Sequence, residues 1–326
     1  MPVWEIILIV LGVIAAIIFV VFIISLICYC LVFYRGLEID YKVPLEFRLS
    51  GYRRDKERMH RDFDWFDKQP FQDLELDYGK MRLHSLYLKT EGATKVAIFF
   101  HGYRDSARNE FSAMIPFFQK LGYNICLVSQ RSHGNSSGKL ITFGIREQKD
   151  CLKWIEFIDK KYNPDEILLM GVSMGASTVL MASNRVPDKV KYVIADCGYS
   201  CPDEQVRYII NYLHFPMYPT IWFVKSWLYI FTGIKFSKFK IPRMLRTSTV
   251  PTLFVHGKKD KMVPYYNTLL NYDEKPVNKE LLFIDNAPHA GAYIYGTEKY
   301  QKAIVNFIEK YKDADRNLPA RKDDDD

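Results

Sequence analysis

The chain has 326 residues, 48% of them hydrophobic and 25% charged, with 17 Gly and 15 Pro, a globular balance that excludes collagen-like, low-complexity and wholly disordered proteins. Its 45 Lys and Arg against 38 Asp and Glu leave a formal charge of +7, yet the basic residues are spread along the chain. No arginine-rich stripe and no zinc-ligand spacing occurs, so no nucleic-acid partner is expected.

No charged residue lies between Ile6 and Tyr34. As helix this run is about 43 Å long, against a hydrocarbon core of about 30 Å. Residues 1–34 are therefore expected to be a transmembrane anchor, with Trp4, Tyr29, Phe33 and Tyr34 suited to the interfaces. A cleaved signal peptide would need a basic start, a shorter apolar core and a small-residue cleavage site. Here Glu5 is the only early ionisable side chain, and the run ends in Cys-Leu-Val-Phe-Tyr. Arg35, Lys42, Arg48, Arg53 and Arg54 follow the span and no Lys or Arg precedes it. The positive-inside rule then makes this a single-pass cell-membrane protein with its large domain in the cytoplasm. The six cysteines are scattered and form no disulfide framework. Cys28 and Cys30, inside the span, are read as packing or lipid-facing thiols rather than acylation sites.

Residues 35–65 read as a mixed-charge juxtamembrane connector, partly helical with a solvated face. Past Pro70, Leu74, Leu76 and Tyr78 alternate, Gly79-Lys80 turns the chain, and Met81, Leu83, Ser85 and Tyr87 alternate again, which predicts a hairpin. Short apolar runs follow at Val96 to Phe100, Ile125 to Val128, Ile167 to Met170, Tyr192 to Ala195, Thr252 to Val255 and Leu281 to Ile284. Helical stretches separate them, among them Glu147 to Ile158 and Lys299 to Tyr311. This alternation predicts a parallel sheet covered on both faces, in one domain over 66–313. The rhythm breaks at about 202–246, a helical, aromatic stretch read as a cap inserted over the carboxyl ends of the strands. Residues 314–326 read as a disordered acidic tail.

The most informative peptide is Gly171-Val172-Ser173-Met174-Gly175. At this chain's composition about 0.04 such matches are expected by chance, and this one sits between a buried strand and a helix start. Strand, tight turn, helix is the setting of a nucleophile elbow, with Ser173 exposed on a strained turn. The Met174 N–H, at the start of that helix, faces the developing oxyanion. A serine hydroxyl needs a base and an acid to orient that base. His289 follows the last strand, and Asp260 follows the strand before it. Asp196, at another strand end, is the rival acid. The order Ser173, Asp260, His289 is that of α/β-hydrolases. In the loop after Phe100 the backbone N–H of Tyr103 is the second oxyanion donor, Gly102 letting the chain approach. His101 and His133 are read as loop-ordering residues, and Asp285 as structural.

Together His101-Gly102, Ser132-His133-Gly134, Gly171-x-Ser173-x-Gly175, His256-Gly257-x-x-Asp260-x-x-Val263-Pro264 and Pro288-His289 resemble the α/β-hydrolase superfamily. They are most similar to its serine-aminopeptidase-like branch of membrane-anchored bacterial hydrolases, as are Trp65 to Pro70 and Thr142 to Glu147. The resemblance implies an α/β-hydrolase fold, a mostly parallel central sheet with helices on both faces and a helical cap insertion, here with one N-terminal transmembrane helix added. One departure is Gln130 before Arg131, where many relatives carry Asp. The chemistry expected is acyl transfer on a small-molecule acyl ester or lipid-like substrate, with no cofactor and no metal. Tyr208, Tyr212 and Trp222 of the cap are candidate substrate contacts, a self-packed cap being the alternative. A peptidase of the same fold and a non-catalytic membrane scaffold are the competing functions.

Overall fold

The apolar runs become the inner strands of one eight-stranded sheet, in a computed structural model that describes residues 1–35, 55–212 and 214–317. Lys42, Arg48, Arg53 and Arg54, most of the expected connector and residues 318–326 of the expected tail lie outside the described residues. The strands are β1 (Gln72–Tyr78), β2 (Met81–Leu88), β3 (Lys95–Phe100), β4 (Tyr123–Ser129), β5 (Ile167–Val172), β6 (Val190–Asp196), β7 (Thr252–Gly257) and β8 (Lys279–Ile284). Their spatial order is β1-β2-β4-β3-β5-β6-β7-β8. The β1–β2 hairpin and the β2–β4 pair are antiparallel and the remaining pairs are parallel.

Alternate residues of each inner strand feed two separate cores, as the pleat requires. On one face Ala97, Phe99, Leu168 and Met170 pack with Phe118, Tyr300, Ile304 and Phe307. On the other, Val96, Ile98, Phe100, Ile167 and Leu169 pack with Trp154, Ile155, Ile158 and Val179. Helix Glu147–Tyr162 presents Cys151, Trp154, Ile155 and Ile158 along one stripe and stops at Asn163 in the left-handed conformation. Ahead of it, the Glu147 carboxylate accepts the Thr142 N–H at 2.8 Å and the Thr142 hydroxyl at 2.6 Å, which fixes how the chain enters the helix.

The chain divides into two compact units. One carries the sheet and its helices. The other joins helix Val3–Phe33 to residues 201–239, which contain helices Pro202–Tyr212 and Thr220–Thr232. The inserted unit thus ends at Phe239 rather than near 246. Helix Ile241–Leu245 buries Ile241 and Leu245, one turn apart, and belongs to the sheet unit. At the other end the sheet unit starts before residue 66. Helix Lys56–Asp67, capped by the Asp55 carboxylate on the Arg58 N–H at 2.8 Å, buries Phe63 and Phe66. Its charged residues point elsewhere, with Asp67 pairing Arg108 at 2.5 Å. Near the carboxyl end, Asp315 and Arg316 are tied down rather than loose. The Asp315 carbonyl accepts from Asn278 at 2.7 Å, and Arg316 donates to the Pro187 carbonyl at 3.3 Å.

Within the smaller unit, helix Val3–Phe33 is long and apolar enough to cross a membrane, with an 18-residue stretch of mean hydropathy 3.6. From Ile6 to Val20 every residue is exposed, whereas Ser25, Cys28, Tyr29, Val32 and Phe33 are buried.

In the sheet unit a buried ion pair joins the segment after β4 to helix Glu147–Tyr162. Arg131 Nε and Nη2 donate to the two Asp150 oxygens at 2.6 and 2.5 Å. Deleting one member of such a pair leaves an uncompensated buried charge. Asp150→Ala is expected to destabilise the full chain by about 3–5 kcal/mol, and Arg131→Met with Asp150→Leu to recover most of that loss, measured by denaturant unfolding in detergent.

Candidate active site

Ser173 joins β5 to helix Met174–Ala182 with φ 55° and ψ −114°, a sparsely populated conformation for a residue with a Cβ. The turn is held by the Ser173 N–H donating to the Asp196 carbonyl at 2.8 Å and the Ser177 N–H donating to the Ser173 carbonyl at 3.0 Å. Two glycines are required by contact. A Cβ on Gly171 would overlap the Gly175 backbone, and one on Gly175 would overlap the Phe100 carbonyl at the end of β3.

The loop after β8 carries His289, and the loop after β7 carries Asp260. His289 Nε2 lies 2.9 Å from Ser173 Oγ, and its Nδ1 lies 2.7 Å from Asp260 Oδ2. All three side chains are buried. The second Asp260 oxygen accepts the backbone N–H groups of Met262 and Val263, each at 2.8 Å. His256, to which the sequence assigned no role, adds a fourth bond. Its Nε2 donates to the Val263 carbonyl at 2.7 Å and to Asp260 at 3.1 Å, while the Thr268 hydroxyl serves its Nδ1 at 2.7 Å. Burial alone would raise the Asp260 carboxyl. The charge of His289 and hydrogen bonds from both histidines outweigh it and hold the group well below the usual carboxylate range. Burial pulls His289 down, but the Asp260 charge and hydrogen bond leave it above its ordinary 6.5.

The rival acid stands elsewhere. Asp196 offers its main-chain oxygen to the elbow, its Oδ2 accepts the Tyr300 hydroxyl at 3.1 Å, and burial pushes its carboxyl up to about 6. Cys197, Asp260 and His289 bring one donor atom each within 4.8 Å of one another. That set does not suit a metal. Both His289 nitrogens and both Asp260 oxygens are already engaged. Burial, then the charges of Asp196 and Asp260, raise the Cys197 thiol well above 9, so it is neither thiolate ligand nor nucleophile. Asp285 is exposed and pairs Lys258 at 2.7 Å.

The loop after β3 is braced by two neutral histidines. The Gln130 N–H points at His101 Nε2 at 3.1 Å, so the proton sits on Nδ1 and is donated to the Gly102 carbonyl at 2.8 Å. Burial pulls the His101 pKa down to about 4. His133 accepts the Arg104 N–H at 3.0 Å and donates to the Arg131 carbonyl at 2.9 Å. Gln130, the departure noted above, bridges the His101 carbonyl and the Thr178 hydroxyl. Tyr103 is stacked on Phe143, centroids 5.1 Å apart. Gly102 lies close to the serine, since a Cβ there would stand 3.4 Å from Ser173 Cβ.

Sequence reasoning missed Glu110, which no motif marks. It accepts the Gly102 N–H at 2.8 Å, fixing the residue before Tyr103. Burial, then the charge of Asp105, raises its carboxyl well above the usual range. Asp105 and Glu110, five apart around a short helix, were the only available signal. Of the remaining candidates, Tyr208, Tyr212 and Trp222 lie on the two helices of the smaller unit, Tyr212 and Trp222 exposed.

A family model described as alpha/beta hydrolase fold matches residues 96–222. The solved esterase Pf2001 of Pyrococcus furiosus is similar with a TM-score of 0.61 at 23% identity, over 77% of this chain and 93% of that one. The chain has the α/β-hydrolase fold. Est1E of Butyrivibrio proteoclasticus, solved with ferulic acid, shares that fold with a TM-score of 0.59 at 18% identity, over 73% of this chain and 99% of its own. In sequence the chain is 29% identical over 220 residues to the uncharacterized protein YqkD of Bacillus subtilis, 67% of this chain and 72% of that protein. It is 24% identical over 243 residues to the alpha/beta hydrolase domain-containing protein WAV2 of Arabidopsis thaliana, 71% of this chain and 76% of that one.

In this site the upward pull on His289 comes chiefly from Asp260. Asp260→Asn is expected to drop the His289 pKa below 6.5, because burial then meets only the weaker pulls of Asp196 and Asp105, while Asp196→Asn moves it by less than about one unit. A histidine-selective NMR titration of the full chain reads both shifts.

Proposed function

We propose that this protein is a membrane-anchored serine hydrolase that cleaves a small or lipid-like acyl ester through Ser173, His289 and Asp260. The observation that carries the reading is the continuous relay, serine to imidazole at 2.9 Å and imidazole to carboxylate at 2.7 Å, on a strained elbow. His289 takes the seryl proton as Oγ attacks the carbonyl. The Tyr103 and Met174 amides stabilise the oxyanion, and the same imidazole returns the proton to the leaving alkoxide. Water then repeats the cycle on the acyl-enzyme. Asp260 keeps the Nδ1 proton in place and stabilises the imidazolium.

A peptidase reading, as in the serine-aminopeptidase-like branch, would want a free carboxylate for an α-amine. Glu110, the acid beside Gly102, is already engaged by that backbone N–H at 2.8 Å, which favours the ester. A scaffold would have no use for a strained serine, because the strain of about 1–3 kcal/mol would be stabilised elsewhere for nothing. In this proposal residues 1–34 are the anchor and the sheet unit lies in the cytoplasm.

A fluorophosphonate probe is expected to label the wild-type chain and not Ser173→Ala, and Asp260→Asn to slow p-nitrophenyl ester turnover by about 10⁴. Turnover of aminoacyl amides in preference to every ester would refute the ester assignment. Because the base must be neutral, the rate is expected to rise with pH through the His289 pKa, with its midpoint above 6.5.

A further inference from the structure

Helix Thr220–Thr232 is the most apolar helix of the smaller unit after the amino-terminal one, and Lys225 is its only charged residue. Its three faces do different things. Ile221, Val224 and Leu228 are buried. The next face meets helix Val3–Phe33. Phe22 packs on Phe223 and Trp227 with centroids 6.3 and 4.7 Å apart, Tyr29 on Phe231 at 5.4 Å, and Phe33 meets Phe236 just beyond the helix at 5.5 Å. The two helices therefore run in the same direction. The Trp227 indole N–H is satisfied by Ser25 Oγ at 3.0 Å. The third face, Trp222, Ser226, Tyr229 and Ile230, is exposed, with Trp222 at 64% and Ile230 at 65%. Ser226 returns its hydroxyl to the Trp222 carbonyl at 2.9 Å, and none of the four residues on this face is charged.

Depth follows from the register. Phe22 is about 28 Å along the amino-terminal helix from Val3, close to one hydrocarbon thickness. Trp222, one residue before the partner of Phe22, then falls at the membrane–water boundary. On that register Tyr229 and Ile230 fall about 10 Å further out, at the outer edge of the headgroup layer, with Lys235 and Lys238 beyond it. Aromatic rings at that level with lysines outside them are the arrangement expected of an interface anchor. A cavity of about 420 Å³ beside the exposed face is lined by Leu228, Ile230, Ile234 and Phe236 with Lys225 and Lys235. Cations against an apolar wall match a phospholipid headgroup and the start of its chains.

We infer that helix Thr220–Thr232 is a second membrane contact, seated in one phospholipid leaflet alongside the amino-terminal helix through Trp222, Tyr229 and Ile230. The inference rests on the reading of residues 1–34 as a membrane anchor. Lipid is the occupant the surface argues for, because the charge-free exposed face continues that of Ile23 and Ile27 on the neighbouring helix.

The test uses the full chain in phosphatidylcholine vesicles, with part of the lipid brominated at shallow acyl positions, and reads tryptophan quenching. Trp222→Phe is expected to remove about a third to a half of the quenching, Trp4 at the far interface supplying much of the rest. Loss with Trp4→Phe but none with Trp222→Phe would overturn the leaflet contact and leave the anchor standing, including the case where another protein or a second copy covers the face. No loss with either variant would overturn the anchor and this inference together. Quenching lost equally with Trp65→Phe, in the sheet unit, would show the readout insensitive to this helix and count against the contact.

Discussion

Everything in the site hangs on one buried carboxylate. Asp260 is nearly without solvent, and taking an ion out of water costs several kcal/mol before its partners respond. Four donors compensate: the His289 and His256 rings and the Met262 and Val263 amides. They come from the end of β7 and from the loops after the adjacent parallel strands β7 and β8, and those loops are knitted together. The Lys258 N–H reaches the Ile284 carbonyl and the Lys259 N–H the Ala287 carbonyl, each at 3.0 Å. A Cβ on Gly257 would overlap the Ala287 carbonyl, so only glycine permits this closeness. Pairing β7 with β8 thereby sets the proton affinity of the imidazole presented to Ser173.

The surrounding groups keep that charge undiluted. His101 is neutral because burial favours its uncharged form, and its two nitrogens are spent on backbone. Burial first and neighbouring carboxylates second push up the Glu110 carboxyl and the Cys197 thiol. Asp196 is the exception, at about 6 and with Oδ1 lacking a hydrogen-bond partner. Its folded pKa is raised, so the stability it contributes is present below its unfolded pKa and is lost as pH rises through about 6. In the proposed reaction, negative charge on a substrate oxygen would develop opposite backbone dipoles.

How much of this the sequence carried depends on the kind of signal. Continuous apolar runs located the six parallel-sheet strands, because a strand buried on both faces has no freedom to be polar. The elbow was legible because two glycines and a serine at fixed spacing answer to one steric demand. Glu110 and His256 were not, since Glu110 on a short helix meets the Gly102 amide, and His256 on β7 meets Asp260, Val263 and Thr268, only once the intervening loops have closed. The boundary at Phe239 was missed for a different reason. Ile241 and Leu245 continue the helical, basic texture of the insertion, and only packing shows that their shared face belongs to the sheet unit. Phe63 and Phe66 were hidden likewise inside a run of charges whose periodicity was too short to weigh.

The division into units gives the amino-terminal helix a structural role beside any anchoring one. Residues 201–239 interrupt the chain of the sheet unit between β6 and β7, yet their partner is the first segment of the chain. Ring contacts of this kind contribute about 0.5–1.5 kcal/mol each beyond area burial. With Phe22, Tyr29 and Phe33 all engaged, the helix completes the fold of the insertion. A truncated chain lacking residues 1–34 would uncover Phe223, Trp227 and Phe236, adding to the exposed Trp222, Ile230 and Phe231. Such a patch invites self-association. The apolar start of this sequence is thus part of the folded protein, and its removal is a change of structure as much as of location.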